Sequence, residues 1–132
     1  MTEPTQSPHK SAGHQRIMRA MRNDWNGIVH AARHDPALRE VSIAVFALTA
    51  TSAFLPVPVI ERLLLAFATL LVLLMEVVNS AIEATVDRIS SEHHPLAGHA
   101  KDLASVAVGI AVVMAGLCWV VIAGPLVLRW WG

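Results

Sequence analysis

Few charges and a single cysteine distinguish this sequence of 132 residues. Charged residues make up 15% and hydrophobic residues 55%, a balance that excludes an ordinary soluble domain. Because Cys118 is alone and lies in an apolar run, an intramolecular disulfide is excluded and a metal–thiolate site is not expected. Neither G-x-x-x-x-G-K-[ST] nor G-x-G-x-x-G occurs, which excludes a P-loop and a protein-kinase glycine loop.

Three long apolar segments make up most of the chain. They cover about residues 41–59, 63–84 and 103–128. Each is close to the length that an α-helix needs to cross a bilayer core of about 30 Å. Pro56 and Pro58 predict a tight turn between the first two segments. We therefore expect an all-α integral membrane protein with three transmembrane helices.

The segment before the first span divides into two parts. Residues 1–15 are polar and lack an apolar core, which predicts a disordered tail and no cleaved signal peptide. Residues 16–34 place apolar side chains at three- and four-residue steps with basic side chains between them. This pattern predicts an amphipathic surface helix, with packing against another protein as the alternative. Asp35 and Pro36 suit the N-cap and first position of the next helix, and residues 16–132 are expected to form one domain.

Lysine and arginine are shared unequally between the two sides of the predicted membrane. Eight lie before the first span or between the second and third: Lys10, Arg16, Arg19, Arg22, Arg33, Arg39, Arg88 and Lys101. Only Arg62 and Arg129 lie on the other side. Because positively charged segments stay in the cytoplasm, this count predicts a cytoplasmic N-terminus and a C-terminus outside.

Polar side chains enter the second apolar segment before it ends. At about 100° per residue, Glu76, Asn79, Glu83 and Asp87 fall within about 80° of arc and cover about 16 Å of helix. Carboxylates at membrane depth usually face the interior of a bundle and mark a functional site. The outer oxygen ligands suit Mg²⁺, and the deeper Glu76 suits a general base for a lipid hydroxyl. A structural polar network is the alternative.

The loop before the third span carries groups that could contact a nucleotide. They are Glu92, His93, His94, His99, Lys101 and Asp102. The histidines lack the i, i+4 spacing of a helical metal site, and Pro95 interrupts them. Solvated loop histidines are therefore favoured over metal ligands.

The twelve residues 76–87, EVVNSAIEATVD, match E-x-x-N-[ST]-[SA]-x-E-x-x-[VI]-D at every defined position. This stretch resembles the signature of the bacterial membrane diacylglycerol kinase family. The resemblance runs from Arg16 to the end and includes RIMRAMRNDWNG and DRISSEHHPLAGHAKDLASVAV. It implies a homotrimeric inner-membrane kinase that transfers the γ-phosphate of Mg-ATP to diacylglycerol, giving phosphatidic acid. Its sites would be shared between subunits, and nucleic acid is not expected as a partner.

The resemblance also implies roles for individual residues. Glu76 is expected to be the general base, and Asn79 is expected to position it. Asp35 and Glu83 are expected to bind Mg²⁺. The residues expected at ATP are Arg16, Asp35, Glu83, Glu92, His94, Lys101 and Asp102. The residues expected at the lipid are Arg16, Trp25, Arg39, Arg62, Glu76, Ser105 and Trp119.

Two positions depart from the family pattern. Asp35 stands where the family commonly has glutamate and reaches one methylene less. A role as a helix cap alone therefore competes with metal binding. His99 stands where the family often has arginine, which puts a charge contact there in doubt.

Two other functions compete with phosphorylation of diacylglycerol. An undecaprenol kinase would keep the same motif and change the lipid. A small proton-coupled transporter would use Glu76 as its membrane carboxylate, but this function leaves Asn79, Glu83 and Lys101 unexplained.

Overall fold

The computed structural model describes residues 35–89 and 94–131, together with 16–18, 22 and 27. Three α-helices follow one another: α1 at Pro36–Phe54, α2 at Val59–Ile89 and α3 at Pro95–Trp131. Each is long and apolar enough to cross a membrane. The described ranges contain no strand. The expected all-α architecture with three spans is therefore confirmed.

The predicted disordered tail at residues 1–15 and most of the predicted surface helix at 16–34 lie outside the described residues. Residues 16–18, 22 and 27 are helical and exposed. The chain divides into two units between residues 34 and 35. The fold and site described below belong to the second unit.

Helix α1 begins at the predicted cap. The Oδ1 atom of Asp35 accepts a hydrogen bond of 3.1 Å from the backbone N–H of Leu38, and Pro36 occupies the first turn. An aspartate cap and an N1 proline both favour initiation at this point. The helix therefore covers 36–54, whereas the apolar segment predicted 41–59. It ends earlier because the turn at 55–58 contains Pro56 and Pro58, which cannot continue a helix.

Helices α2 and α3 are longer than the apolar segments that predicted them. They contain 31 and 37 residues, whereas the predicted spans were 63–84 and 103–128. At 1.5 Å per residue they are about 46 and 55 Å long, more than a bilayer core of about 30 Å. Hydropathy marks the part of a helix that meets lipid, and these helices continue beyond it.

The predicted loop before the third span is partly helical in the structure. Pro95 starts α3 instead of interrupting a loop, so the residues from Pro95 to Asp102 are helical. The Nδ1 atom of His94 accepts a hydrogen bond of 3.3 Å from the backbone N–H of Leu96. His94 therefore caps α3 in the place usually taken by a serine or aspartate side chain.

Helix α2 is the centre of the bundle, because α1 and α3 both pack extensively against it. The buried cluster consists of Val45 from α1, Val72 from α2, and Ala111 and Ala115 from α3. Small side chains such as these alanines let membrane helices approach closely. Large apolar residues lie mainly on the outer faces, where they can meet lipid or another chain: Phe46, Phe54, Phe67, Leu74, Val113 and Leu117 among them.

Two polar contacts set the register of α2 against α3. The Nζ atom of Lys101 lies 2.5 Å from Oδ1 of Asp87, and Nε1 of Trp119 donates a hydrogen bond of 2.9 Å to Oγ1 of Thr69. The same number of residues, 18, separates the two members on each helix (87 − 69 and 119 − 101). The contacts thus belong to one antiparallel register, about 27 Å apart. We call the end with Asp35, Asp87 and Lys101 the polar end, and the end with residues 55–58 the turn end.

A third contact joins α1 to α2 at the polar end. The hydroxyl of Ser80 donates a hydrogen bond of 2.5 Å to Oδ2 of Asp35. This bond is the main cause that holds the pKa of the Asp35 carboxyl below its ordinary value of 3.8; partial burial opposes it, and backbone N–H groups add to the lowering. Asp35 is therefore ionised in the folded protein and connects two helices.

Asp35 should make the folded protein sensitive to acid. Because its folded pKa is lowered, its contribution is present above the unfolded pKa and is lost as pH falls through the folded pKa. Asp35→Ala should reduce the free energy of unfolding at neutral pH by about 1 kcal/mol, the usual value of a cap. Detergent unfolding at a series of pH values from about 7 to 3 measures both effects.

Asp35→Asn is the matched control for this experiment. The Oδ1 atom of asparagine can also cap the helix, and its Nδ2 can donate to the Ser80 hydroxyl, so this variant should remain near the wild-type stability at neutral pH. Being neutral, it should lose part of the acid dependence. Equal unfolding midpoints of wild type and Asp35→Ala at every pH would contradict the assigned contacts.

Candidate active site

The polar side chains of α2 form a graded face. Glu76 is buried with 6% of its surface exposed, Asn79 and Glu83 are half-buried, and the Asp87 side chain is 66% exposed. The arrangement follows from one continuous helix, in which these positions share a side. The four side chains therefore lie on one face of α2, as predicted, and this polar face leads from the bundle interior to the polar end.

Asn79 is connected to the outer carboxylate of this face. Its Nδ2 donates a hydrogen bond of 3.2 Å to Oε1 of Glu83, one turn further along α2. Its Oδ1 is buried and has no hydrogen-bond partner within the described part of the chain. A buried acceptor without a partner is costly, so this oxygen is suited to receive a donor or cation from a ligand.

Two further carboxylates lie on or beside the face of α2 that bears Glu76. Glu83 is seven residues after Glu76, and Ser80, one turn after Glu76, donates a hydrogen bond to Asp35 from the start of α1. Carboxylates along one face favour a cation that offsets their charge. The site therefore has the donor types of a cation site, with a buried acid deeper in the bundle.

The donor set fits magnesium carried by a nucleotide. Asp35 and Glu83 offer hard carboxylate oxygens, which Mg²⁺ prefers. Within residues 35–89 and 94–131, no three His, Cys, Asp or Glu side chains come together closely enough to hold a metal by themselves. Mg²⁺ is commonly held by one or two carboxylates together with substrate phosphates, so this sparse set is consistent with that arrangement.

The predicted nucleotide residues on α3 lie at the polar end. Lys101 binds Asp87, Asp102 follows it and is exposed, and His94 is exposed at the N-terminus of the same helix. Ser105 is exposed one turn further along α3, and the common register places it level with Glu83. The structure thus brings these residues to the end of the bundle where Glu83 lies.

Other predicted residues lie away from this cluster. Arg62 is at the turn end, where its Nε and Nη1 donate bonds of 3.0 and 3.4 Å to the carbonyls of Val57 and Ala53. It is fourteen residues before Glu76, or about 21 Å along α2. Trp119 is also toward the turn end, against Thr69. Their predicted roles at the lipid remain predictions.

The remaining predicted residues are placed as follows. Arg39 is exposed in the first turn of α1. Arg16 is exposed and belongs to the separate unit of residues 1–34. Trp25, Glu92 and His93 lie outside the described residues, and His99 is exposed on α3. The functions of all these residues stay predictions.

Two polar contact residues of α2 were not predicted from the sequence, namely Ser80 beside the site and Thr69 toward the turn end. Ser80 holds Asp35, and Thr69 holds Trp119. Both could have been found by extending the helical face: Ser80 is one turn after Glu76, and Thr69 is seven residues before it. A step of seven residues returns to within about 20° of the same direction on a helix.

Comparison with known proteins gives a consistent match. The model of the family described as prokaryotic diacylglycerol kinase matches residues 22–123. Diacylglycerol kinase of Escherichia coli strain K12 is 40% identical over 114 residues, covering 86% of this chain and 93% of that protein. Diacylglycerol kinase of Pseudomonas aeruginosa is 38% identical over 117 residues, covering 88% and 95%.

A more distant relative extends the same match. Diacylglycerol kinase of Haemophilus influenzae is 33% identical over 111 residues, covering 84% of this chain and 94% of that protein. The matched region contains all three membrane helices up to Ala123. The family suggested by the motif at 76–87 is thereby confirmed, and this multi-pass membrane protein is a kinase that belongs to the prokaryotic diacylglycerol kinase family.

Proposed function

We propose that this protein transfers the γ-phosphate of ATP to the free hydroxyl of diacylglycerol, giving phosphatidic acid and ADP. The observation that carries the proposal is the position of Glu76. This carboxylate is buried at the inner limit of a polar face that opens at one end of the bundle. A water-soluble nucleotide can reach the outer part of that face, and a lipid hydroxyl can approach its inner part from the membrane.

Glu76 acts as the general base in this proposal. As the lipid hydroxyl oxygen bonds to the γ-phosphorus, its proton moves to the Glu76 carboxylate and the bond to the ADP oxygen breaks. Phosphoryl transfer depends mainly on positioning and charge stabilisation, so a single oriented base is sufficient on the protein side. Asn79, about one turn away, would have a positioning role, and its buried Oδ1 has no hydrogen-bond partner within the described residues.

Asp35 and Glu83 would hold the magnesium ion. Bound there, Mg²⁺ supplies positive charge against the phosphate oxygens. The Ser80 hydroxyl donates a hydrogen bond to Oδ2 of Asp35 and keeps this carboxylate against α2. The contact supports the metal assignment because it brings an aspartate, one methylene shorter than glutamate, close to the polar face.

We also propose the orientation and assembly of the protein. The polar end faces the cytoplasm, where eight of the ten Lys and Arg residues lie, and the C-terminus is outside. ATP would then reach Lys101, Asp102 and His94 from the cytoplasm. The large apolar side chains on the outer faces provide the surface for a homotrimer with sites shared between subunits.

The function can be tested with purified protein in lipid bilayers and labelled Mg-ATP. Diacylglycerol and undecaprenol are offered separately, and phosphatidic acid should be the main product. Glu76→Gln should lower turnover by about 10²- to 10⁴-fold, the usual contribution of a general base, while the protein keeps its assembly state.

Glu61→Gln is the matched control, because Glu61 is also on α2 but lies at the turn end. It should retain wild-type turnover. Undecaprenyl phosphate as the main product would identify undecaprenol as the lipid substrate and leave the assigned site residues unchanged. No transfer to either lipid from folded wild type, or full activity of Glu76→Gln, would contradict the proposal.

The role of Asp35 at the metal can be separated from its role as a cap. Asp35→Asn keeps a capping side chain and removes the charge, so the Mg²⁺ concentration for half-maximal activity should rise by at least about tenfold. Asp35→Glu keeps the charge and adds reach, so its requirement should be equal to or lower than that of wild type. An unchanged Mg²⁺ titration in both variants, with Glu40→Gln as control, would assign Asp35 to the cap alone.

The orientation can be tested by labelling with a membrane-impermeant maleimide in intact cells. In a Cys118→Ala background, Gly132→Cys should react from outside. Ser91→Cys, in the connection between α2 and α3, should react only after the cells are permeabilised. The opposite pattern would reverse the proposed topology.

A further inference from the structure

An apolar groove runs along the bundle toward the turn end from Glu76. Its volume is about 490 Å³, and all three helices line it. Val45 and Leu48 contribute from α1, Val72 from α2, and Gly116 from α3. Nothing lies within 4 Å of the position that a Cβ atom on Gly116 would take, so this wall is open.

The groove continues along the same side of α2 as the polar face. Thr69 and Val72 line it, and Thr69 precedes Glu76 by seven residues. Seven residues are nearly two full turns, so Thr69 lies on the same side as Glu76 and about 10 Å along the helix. A chain attached to a hydroxyl at Glu76 would therefore extend naturally into the groove.

The Thr69 hydroxyl and the Trp119 indole N–H are both hydrogen-bonded within the protein at this depth. The Thr69 hydroxyl donates a hydrogen bond of 2.7 Å to the carbonyl of Leu65 and accepts one of 2.9 Å from Nε1 of Trp119. Thr69 is 1% exposed, and Trp119 is half-buried. Both the hydroxyl and the indole N–H are thus satisfied within the protein, as lipid surroundings require.

Threonine at position 69 makes a contact that valine could not make. Valine has nearly the same shape, so it would fill the same space in α2. The hydroxyl donates its own hydrogen to the Leu65 carbonyl within α2. What threonine adds between helices is an acceptor for the Trp119 indole N–H, which valine lacks. Since the indole N–H would otherwise have no partner among apolar side chains, Thr69 determines where the ring lies.

We propose that Thr69 is a positioning residue that holds the Trp119 indole as a wall of this groove and so sets which diacylglycerol acyl chains the kinase accepts. The occupant of the groove is an acyl chain of the lipid substrate, because the groove is apolar and Val72, which lines it, lies one turn before Glu76 on the same side of α2. This inference rests on the proposed function. A long chain would extend along the indole and pack against it, whereas a short chain would end before it.

The test compares two lipids and two substitutions. Dihexanoylglycerol has chains that end before the level of Trp119, and dioleoylglycerol has chains that pass it. Thr69→Val should raise the ratio of the dioleoylglycerol KM to the dihexanoylglycerol KM by about three- to tenfold, as expected for one interhelical hydrogen bond. Thr69→Ser retains the hydroxyl and should restore the wild-type ratio.

A second readout reports the hydrogen bond itself. The indole N–H resonance that Trp119→Phe removes identifies Trp119 in a ¹⁵N-labelled sample. It should move in Thr69→Val and return toward its wild-type position in Thr69→Ser. Because Trp119→Phe removes the same bond, combining it with Thr69→Val should add little further change to the KM ratio.

The outcomes separate this inference from the proposed function. If wild type phosphorylates neither lipid, the function fails and the inference fails with it. If wild type is active and Thr69→Val changes both lipids equally, or Thr69→Ser does not restore the ratio, the inference alone is overturned. An equal loss for both lipids together with an altered assembly size would assign the groove to a second copy of the chain.

Discussion

A carboxylate at the depth of Glu76 is the constraint around which the bundle is arranged. In lipid, an ionised group costs several kcal/mol unless protein surrounds it. Helix α2 carries this group and occupies the centre, with α1 and α3 packed against it. The side of α2 that bears Thr69, Val72 and Glu76 is buried, whereas its outer side is apolar and exposed. The position of the acid thus explains why the middle helix is also the central one.

A few polar contacts then fix how the three helices meet. Asp35 joins α1 to Ser80 on α2, while Lys101 and Trp119 join α3 to Asp87 and Thr69. Apolar packing between membrane helices has little directional preference, and single hydrogen bonds between them are worth about 0.6 kcal/mol on average. Their importance lies in register: a slip by one residue would separate both α3 contacts together. The site consequently has a defined geometry at the polar end and a defined apolar continuation below it.

The sequence was informative where a single physical signal dominates. Long apolar segments predicted three spans, and the spacing of Glu76, Asn79 and Glu83 predicted one polar face. The helix ends were less accurate, because hydropathy does not distinguish a helix that leaves the membrane from a loop; α3 accordingly starts at Pro95. Thr69 and Ser80 were missed because a hydroxyl in an apolar stretch shows no partner in sequence. Their partners, Trp119 and Asp35, are 50 and 45 residues away.

The connection between α1 and α2 bears on how the chain enters the membrane during synthesis. Only residues 55–58 separate the two helices, and Arg62 donates to the carbonyl of Ala53 in the last turn of α1 and to that of Val57 in the turn. These bonds satisfy part of the backbone of the connection, so the pair can partition into the bilayer as a helical hairpin. Helix α3 emerges from the ribosome later, and until it docks, Glu76 is covered on the α1 side alone. Biogenesis thus includes a stage in which the Glu76 carboxylate is less protected from lipid than in the complete bundle.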